Sequence, residues 1–360
     1  MKNSGAEPKV DRHHMRRLLL TQMAHQRLQR DLDDHREALE VIAMDENGVL
    51  ALGNEPIQEA SAHPDAAWLS EDLFLNPALP TFMRVVISSP RLDWVQTVSA
   101  GVDHPMFTRI AAKGARLTNS HGQAIAIAEY VLGEVLAHYQ GIAERRRAQA
   151  DHAWERLCFR ELRRTHWLIV GFGAIGQAVA QRVRAFGARV EALRRNTTPH
   201  PLADGVYPIS AAAERLPLAD VVLLSAPLTA ATAHLADSAF FRAMKAGSVL
   251  INVSRGGLVD ERALLEALDA GAPAYAVLDV FEQEPLSPNS RFWDHPRVAI
   301  SAHASSFSIG DGTRNDEIFL ENLARFLKRQ PLASEVEASQ LAQGGWARGQ
   351  RKTQHPRPIS

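Results

Sequence analysis

Arg255, Glu284 and His303 have complementary chemistry, and each sits a few residues past the start or end of a short apolar, strand-like run. Those runs cover residues 248–253, 274–280 and 298–302. A histidine titrates near neutrality and can take up or deliver a proton. A carboxylate bonded to its other ring nitrogen fixes the tautomer and stabilises the charged ring. A guanidinium can hold a carboxylate at two points and polarise an adjacent oxo group. Together they suit proton removal from the hydroxyl of a 2-hydroxy acid as hydride leaves the same carbon, or the reverse reaction. Taken singly, each has a plainer reading. His303 could be structural at a strand end, and Arg255 could cap a helix or pair with Asp260. Joint placement gives the set its meaning, because open α/β sheets bind ligands outside the carboxyl ends of their strands.

Hydride chemistry needs a carrier, and the chain has a place for one. The apolar run Leu168-Ile169-Val170 leads into Gly171-Phe172-Gly173-Ala174-Ile175-Gly176 and then a helical pattern. In that strand–turn–helix context Gly171 permits the tight turn, Gly173 lets the backbone approach a pyrophosphate, and Gly176 allows helix to pack on strand. The first-turn N–H groups, including those of Ala174 and Ile175, then face the anion. Arg194 lies eighteen positions after Gly176 and is followed by Arg195. An NAD-binding domain usually carries an acid there for the ribose hydroxyls. A guanidinium instead suits a 2′-phosphate through charge-assisted bonds worth about 1.5–3 kcal/mol, or roughly ten- to hundredfold in affinity. NADP(H) is therefore expected ahead of NAD(H), with NAD(H) still possible. The alternative is that Arg194 and Arg195 are solvated charges beyond a strand. Glu191, inside the strand, is poorly placed for a ribose.

The elements that must position these groups follow from periodicity. Strands are expected at 17–21, 40–43, 83–87 and 94–98, with a helix over 24–39. The stretch 125–139 carries Ala, Leu, Ile or Val at nearly every turn, the composition of a helix buried between two domains. From 167 onward six strands are expected, at 167–170, 188–193, 221–225, 248–253, 274–280 and 298–302. Helical patterns intervene: Ile175, Val179, Val183 and Phe186 share one face, and Leu264, Leu265 and Leu268 another. A last helix over 316–328 has Ile318, Phe319, Leu323 and Phe326 as its apolar positions. The pattern is that of an α/β protein with doubly wound parallel sheets.

Bulk properties narrow the partners. A length of 360 residues exceeds what one core usually organises, so two domains are expected. Apolar residues make up 46% and charged residues 22%, the balance of a globular chain. The net charge is −1, from 40 Lys and Arg against 41 Asp and Glu, which argues against nucleic acid or an anionic membrane as partner. No run of eighteen apolar residues occurs, so no membrane-spanning helix is expected, and no metal site is expected either. Cys158 is the single cysteine, which suits a reducing compartment. Segment 1–14 is polar and the run 18–20 is too short for a signal-peptide core, so a cytoplasmic location is expected. Segments 1–14 and 340–360 have the composition of disordered tails.

Over roughly residues 15–338 the chain resembles the D-isomer-specific 2-hydroxyacid dehydrogenases, in particular the glyoxylate/hydroxypyruvate reductase type. The segments that carry the likeness are Gly171–Gly176, Ala226-Pro227-Leu228-Thr229, Asn252-Val253-Ser254-Arg255-Gly256-Gly257-Leu258-Val259-Asp260, Leu278-Asp279-Val280-Phe281-Glu282-Gln283-Glu284-Pro285 and His303. Ser99-Ala100-Gly101-Val102-Asp103, Thr118-Asn119-Ser120 and Ala128-Glu129-Tyr130 add to it. The resemblance implies that Arg255, Glu284 and His303 are the substrate arginine, the orienting acid and the acid/base. It implies that Asp279 faces the nicotinamide carboxamide, and that Ala226, Pro227, Thr232 and Val253 line the cofactor. Backbone N–H groups of Ala100, Gly101 and Val102 would receive the substrate carboxylate. It further implies a flavodoxin-like substrate domain, 15–119 plus 305–338, into which a Rossmann dinucleotide domain, 120–304, is inserted, and a homodimer. The implied reaction is hydride transfer between NADP(H) and a small 2-oxo acid/D-2-hydroxy acid pair, with glyoxylate or hydroxypyruvate as substrate. Formate dehydrogenases resemble a pattern with Gln at position 284 and are disfavoured; phosphite dehydrogenases keep the three side chains. A corepressor-like nucleotide sensor without turnover is the reading from a different class. Where many members have Pro-His-Ile-Ala-Gly, this chain has Ala302-His303-Ala304-Ser305-Ser306, which predicts a less rigid histidine loop.

Overall fold

A computed structural model describes residues 15–74, 76–102, 104–337 and 341, so the segments 1–14 and 342–360 lie outside the described residues. The chain divides into two compact units. One comprises residues 15–100, 104–120 and 315–337; the other comprises 101–102 and 121–314.

The first unit is built on strands β1 (Arg16–Thr21), β2 (Leu39–Met44), β3 (Leu50–Leu52), β4 (Glu55–Ile57), β5 (Ala66–Leu69), β6 (Trp94–Thr97) and β7 (Arg116–Thr118). They form one sheet in the order β4-β3-β2-β1-β5-β6-β7. β2, β1, β5, β6 and β7 are parallel, in the flavodoxin-like order, and β3 and β4 add an antiparallel hairpin at one edge. Helices α1 (Gln22–Asp33), α2 (Glu59–Ala62), α3 (Glu71–Phe74), α4 (Leu79–Ser88) and α5 (Pro105–Ala111) connect them. Thr21 ends β1 and caps α1, its Oγ1 accepting the Ala24 N–H at 3.1 Å. Ala24, Leu28 and Leu32 then recur at helical spacing on the buried face. α1 stops at Asp33 rather than at 39, because the chain turns over 34–38 and Leu39 is needed in β2.

The expected strand at 83–87 is helical in the structure, lying inside α4. Phe82, Val85 and Val86 are its buried positions, and a proline sits in its first turn. A run as short as Met83-Arg84-Val85-Val86-Ile87 fits either period, and the i, i+3, i+4 placement of Phe82, Val85 and Val86 decides it. The strand that pairs with β1 is β5, whose sequence Ala66-Ala67-Trp68-Leu69 carries no β-branched residue. The hairpin was signalled only by the two-residue turn Gly53-Asn54, with Gly53 at φ 60°.

Helix α12 (Asp311–Leu327) contributes residues 315 onward to this unit. Phe319 is fully buried and stacks on Trp68 at 4.8 Å and on Trp94 at 5.8 Å. Gln96, also fully buried, accepts from Thr118 Oγ1 at 2.6 Å and from Asn322 Nδ2 at 2.8 Å through its Oε1. Asn322 in turn accepts the Ala333 N–H at 2.8 Å. Gln96, Thr118 and Asn322 thus satisfy one another, and the returning segment is tied to the sheet by both packing and hydrogen bonds.

The second unit holds strands β8 (His166–Val170), β9 (Arg189–Leu193), β10 (Gly205–Tyr207), β11 (Val221–Leu224), β12 (Val249–Asn252), β13 (Tyr275–Leu278) and β14 (Val298–Ile300). All are parallel, in the order β10-β9-β8-β11-β12-β13-β14, with the order reversing between β8 and β11. That is a Rossmann sheet. Its helices are α6 (Ala124–Tyr139), α7 (Ile142–Ala150), α8 (Ala174–Ala185), α9 (Ala212–Arg215), α10 (Ser238–Ala243) and α11 (Glu261–Ala270). Six of the seven strands were expected; β10 is a three-residue edge strand with little apolar signal. Both faces of the sheet are covered, which is why the central strands read as unbroken apolar runs. Trp167, Ile169, Val221, Leu223, Val249, Ile251 and Val277 pack with Val131, Val135, Val179 and Val183 on one face. Leu168, Val170, Val222, Leu224, Leu250 and Leu278 pack with Phe240, Leu264 and Leu268 on the other. Near the amino ends of β8 and β11, buried Asp220 accepts the His166 N–H at 2.8 Å and pairs with Lys245 at 2.6 Å and Arg160 at 2.7 Å.

Candidate active site

At the carboxyl end of β8 the chain turns through Gly171, at φ 89°. A Cβ there would lie 2.4 Å from the Ala226 backbone nitrogen, so only glycine fits between β8 and β11. Gly171 N–H donates to Leu193 O at 2.8 Å, and its carbonyl accepts the Ser225 hydroxyl at 2.6 Å. Gly176 is equally constrained, since its Cβ would meet Gly171 O at 2.6 Å. Gly173 differs. It caps α8, and a Cβ built on it meets no atom within 4 Å. The space beside Gly173 is thus open at the point where the first-turn N–H groups of α8, those of Ala174 and Ile175, lack carbonyls of an earlier turn. An anionic diphosphate fits that cradle.

β9 ends at Leu193, and Arg194 follows. Its N–H bonds to Tyr207 O at 3.0 Å, while its guanidinium donates to Thr198 O at 2.7 Å and closes the 194–198 loop. Arg194 is half-buried, its Nε enclosed without a hydrogen-bond partner; Arg195 is exposed. Beyond β11, Ala226 is buried and its carbonyl accepts the Ser254 hydroxyl. Thr232 Oγ1 is turned into its own loop, donating to Pro227 O at 2.7 Å and accepting the Thr229 N–H at 2.8 Å. Val253 is buried at the end of β12.

The three side chains with acid–base and anion chemistry come from loops after neighbouring strands β12, β13 and β14. Asn252 braces the first loop, donating to Arg255 O at 3.0 Å and accepting the Ser254 N–H at 3.2 Å. Arg255 Nη1 donates to Ser254 O at 2.8 Å. Gly256 is pressed onto the second loop: a Cβ on it would lie 1.8 Å from the Phe281 carbonyl carbon. Asp260 then caps α11 through the Ala263 N–H at 3.0 Å. In the second loop Glu284 Oε1 accepts the Phe281 N–H at 3.1 Å, which leaves Oε2 for His303 Nδ1 at 2.7 Å. Both side chains of that pair are about one-third exposed, at 33% and 31%. Glu261 receives the Glu282 N–H at 2.7 Å; burial, reinforced by the nearby Glu282 and Glu284 charges, holds its carboxyl above the ordinary range.

Asp279 is nearly fully buried, and both its carboxylate oxygens are directed at the 301–305 loop. From the sequence Ser305 is expected only near the pocket wall, and Ser301 is given no role; the signal for both lay in the replacement of the usual proline and of the residue two after the histidine. Ser301 is also bonded to Tyr130 of α6, whose burial raises its phenol above the ordinary range. Ala100, Gly101 and Val102 follow β6. Ala100 is fixed by Asn119 Nδ2, which donates to its carbonyl at 2.7 Å, and Val102 is buried.

Residues 132–305 match the family described as D-isomer specific 2-hydroxyacid dehydrogenase, NAD binding domain. A glyoxylate reductase from Thermofilum pendens is 34% identical over 255 residues, covering 68% of this chain and 75% of that protein. A D-isomer specific 2-hydroxyacid dehydrogenase family protein from Aeromonas salmonicida has a solved structure that superposes with a TM-score of 0.71 at 29% identity, covering 90% of this chain and 99% of its own. An NADPH-dependent glyoxylate/hydroxypyruvate reductase from Sinorhizobium meliloti, solved with NADP and sulfate, gives a TM-score of 0.68 at 25% identity, covering 90% and 98%. With sheet order, glycine loop and these likenesses in agreement, the chain belongs to the D-isomer-specific 2-hydroxyacid dehydrogenases, a family of oxidoreductases that work with a nicotinamide cofactor.

Proposed function

We propose that the protein reduces a small 2-oxo acid, glyoxylate or hydroxypyruvate, to the D-2-hydroxy acid with NADPH. The observation that carries this reading is the His303–Glu284 pair at 2.7 Å, on the strand ends next to Arg255. In this reading the first unit is the substrate domain and the second the dinucleotide domain. The cofactor would lie with its diphosphate beside Gly173 and the N–H groups of Ala174 and Ile175, and its 2′-phosphate against Arg194 and Arg195. When bound it supplies the hydride. Arg255 holds the substrate carboxylate and withdraws electron density from the oxo group. With Nδ1 committed to Glu284, His303 delivers a proton from Nε2 to the developing alkoxide, and Glu284 stabilises the ring while it is charged. Asp279 is then a neighbour of the nicotinamide, and Ala226, Pro227, Thr232 and Val253 line its path. The family likeness would also assign the backbone N–H groups at 100–102 to the substrate carboxylate.

Neither the corepressor-like sensor nor a phosphite dehydrogenase is favoured by the relatives, which include glyoxylate and glyoxylate/hydroxypyruvate reductases. The test is to mix purified protein, NADPH and glyoxylate or hydroxypyruvate and follow the absorbance of reduced nicotinamide. Turnover is expected, and replacing His303 by alanine should lower it by about a hundredfold or more. NADPH binding without turnover of any 2-oxo acid would overturn the reading. Arg194→Asp should weaken NADPH and spare NADH; equal weakening of both would make Arg194 a structural residue.

A homodimer through the second unit is part of the proposal. Trp154 is 94% exposed on the segment after α7, Phe159 and Ile142 are exposed as well, and Arg145 holds the segment by donating to Leu157 O at 2.8 Å. Light scattering should give twice the chain mass, and Trp154→Ser should lower it. A cytoplasmic location fits the lone Cys158; among the described residues no helix is long and apolar enough to cross a membrane.

A further inference from the structure

We infer that Ser305 and Ser301 are positioning residues for His303, acting through Asp279 to hold the histidine loop in a conformation it would not keep alone. The inference rests on the reading of His303 as the proton-transfer residue. Ala302 and His303 stand at φ 53° and 56°, two consecutive non-glycine residues in the left-handed region. L-residues visit that region singly and reluctantly, because Cβ crowds the following carbonyl. Something must compensate, and Asp279 does so with both its backbone and its side chain. Its carbonyl accepts the His303 N–H at 2.6 Å. Its Oδ1 accepts the N–H groups of Ala304 at 2.8 Å and Ser305 at 3.0 Å, and the Ser301 hydroxyl at 2.6 Å. Its Oδ2 accepts the Ser305 hydroxyl at 2.5 Å. Successive N–H groups converging on one carboxylate form a nest for an anion, and here the protein supplies the anion itself.

The unusual loop sequence now has a physical meaning. Proline fixes φ near −65°, so it cannot occupy position 302 at φ 53°. The loop is therefore not a loosened version of the proline-containing one. It is a different conformation, held because both Asp279 oxygens are engaged from within it, and it presents the ring to Glu284 at 2.7 Å. On this inference the loop is held in place, against the expectation of a less rigid one. Ser305 is buried at 7% exposure, so removing its hydroxyl deprives an enclosed carboxylate oxygen of its donor and weakens the hold on the two strained residues.

Three variants decide the matter: Ser305→Ala, Ala302→Pro and His303→Ala. The readouts are kcat, KM, NADPH Kd by fluorescence titration, Tm, and crystal structures of the first two variants. Ser305→Ala should lower kcat by about ten- to hundredfold, as expected when a reacting group is misplaced by an ångström. KM and Kd should stay within about twofold, and the imidazole should leave hydrogen-bond distance of Glu284. Ala302→Pro should do the same, and stands in if Ser305→Ala does not fold. Wild-type kcat in either variant, with the imidazole still on Glu284, overturns the positioning role. So does a loss of kcat, KM, Kd and Tm in step, which marks general damage. If His303→Ala loses turnover while Ser305→Ala keeps it, the clamp fails and the function stands. If His303→Ala keeps turnover, the role of His303 fails, and the positioning inference fails with it.

Discussion

Gly256→Ala probes how the Arg255 loop is joined to the Glu284 loop. The added Cβ would lie 1.8 Å from Phe281 C, 2.1 Å from Phe281 O and 2.3 Å from Glu282 N, whereas ordinary contact begins at 3.4 Å. All three atoms are backbone, so no side chain can swing aside, and the two loops must part by about 1.6 Å. Overpacking usually costs about 1–3 kcal/mol, and backbone against backbone belongs at the upper end, about 3 kcal/mol. At roughly 2–4 °C per kcal/mol for a unit of this size, Tm should fall by about 6–12 °C. The same displacement moves Phe281, whose N–H holds Glu284 Oε1, and so disturbs the His303 contact. A shift of that size should lower kcat by about a hundredfold. Gly173→Ala is the matched control: its Cβ meets nothing within 4 Å and its φ is −83°. Its Tm should change little, since a gain of about 0.4–1 kcal/mol through the unfolded chain is offset by the poorer N-cap residue, yet NADPH binding should weaken because the methyl fills the diphosphate's space. Thermal melts, steady-state rates and fluorescence titration read both variants. A Gly256→Ala protein with wild-type Tm and kcat would refute the reasoning, because the loops would then not be fixed against each other.

Phe319→Ala removes the ring stacked on Trp68 and Trp94 and should cost about 3–5 kcal/mol, read by urea or thermal unfolding; a loss below about 1 kcal/mol would mean that the site collapses around the gap. Asp220 gives a pH dependence. Burial pushes its carboxyl up, but the Lys245 ammonium, the His166 N–H and the Arg160 guanidinium outweigh burial and hold it below the ordinary carboxylate range. Its stabilisation is thus complete above that range and is lost as pH falls through the depressed value. Asp220→Asn should accordingly lower Tm at pH 7 and flatten the acid side of the Tm-against-pH curve; an unchanged acid limb would refute this account.

The Rossmann unit was legible because its central strands are buried on both faces and so stand out as apolar runs, and because Gly171, Gly173 and Gly176 mark one junction. Arg255, Glu284 and His303 could be placed on neighbouring strand ends from chain order alone. The fit of Gly256 against Phe281 could not, since it depends on two loops 25 residues apart meeting in space. The contacts of the histidine loop were hidden for the same reason: they come from Asp279, just past the end of β13, and not from the loop's own residues. Val85 and Val86 misled because two β-branched residues suit a strand locally, while Phe82 supplies the helical register only when the neighbouring residues are packed.

The stacking of Phe319 between Trp68 and Trp94 sets an order on synthesis. Both indoles leave the ribosome early, but the aromatic ring that covers them arrives only after about 225 further residues, between positions 94 and 319, have been translated. At about 5–20 residues per second that interval is roughly 11–45 s. During it the amino-terminal sheet must stand with an uncovered aromatic face, a natural target for a chaperone, while the intervening unit can complete its own hydrophobic cores first.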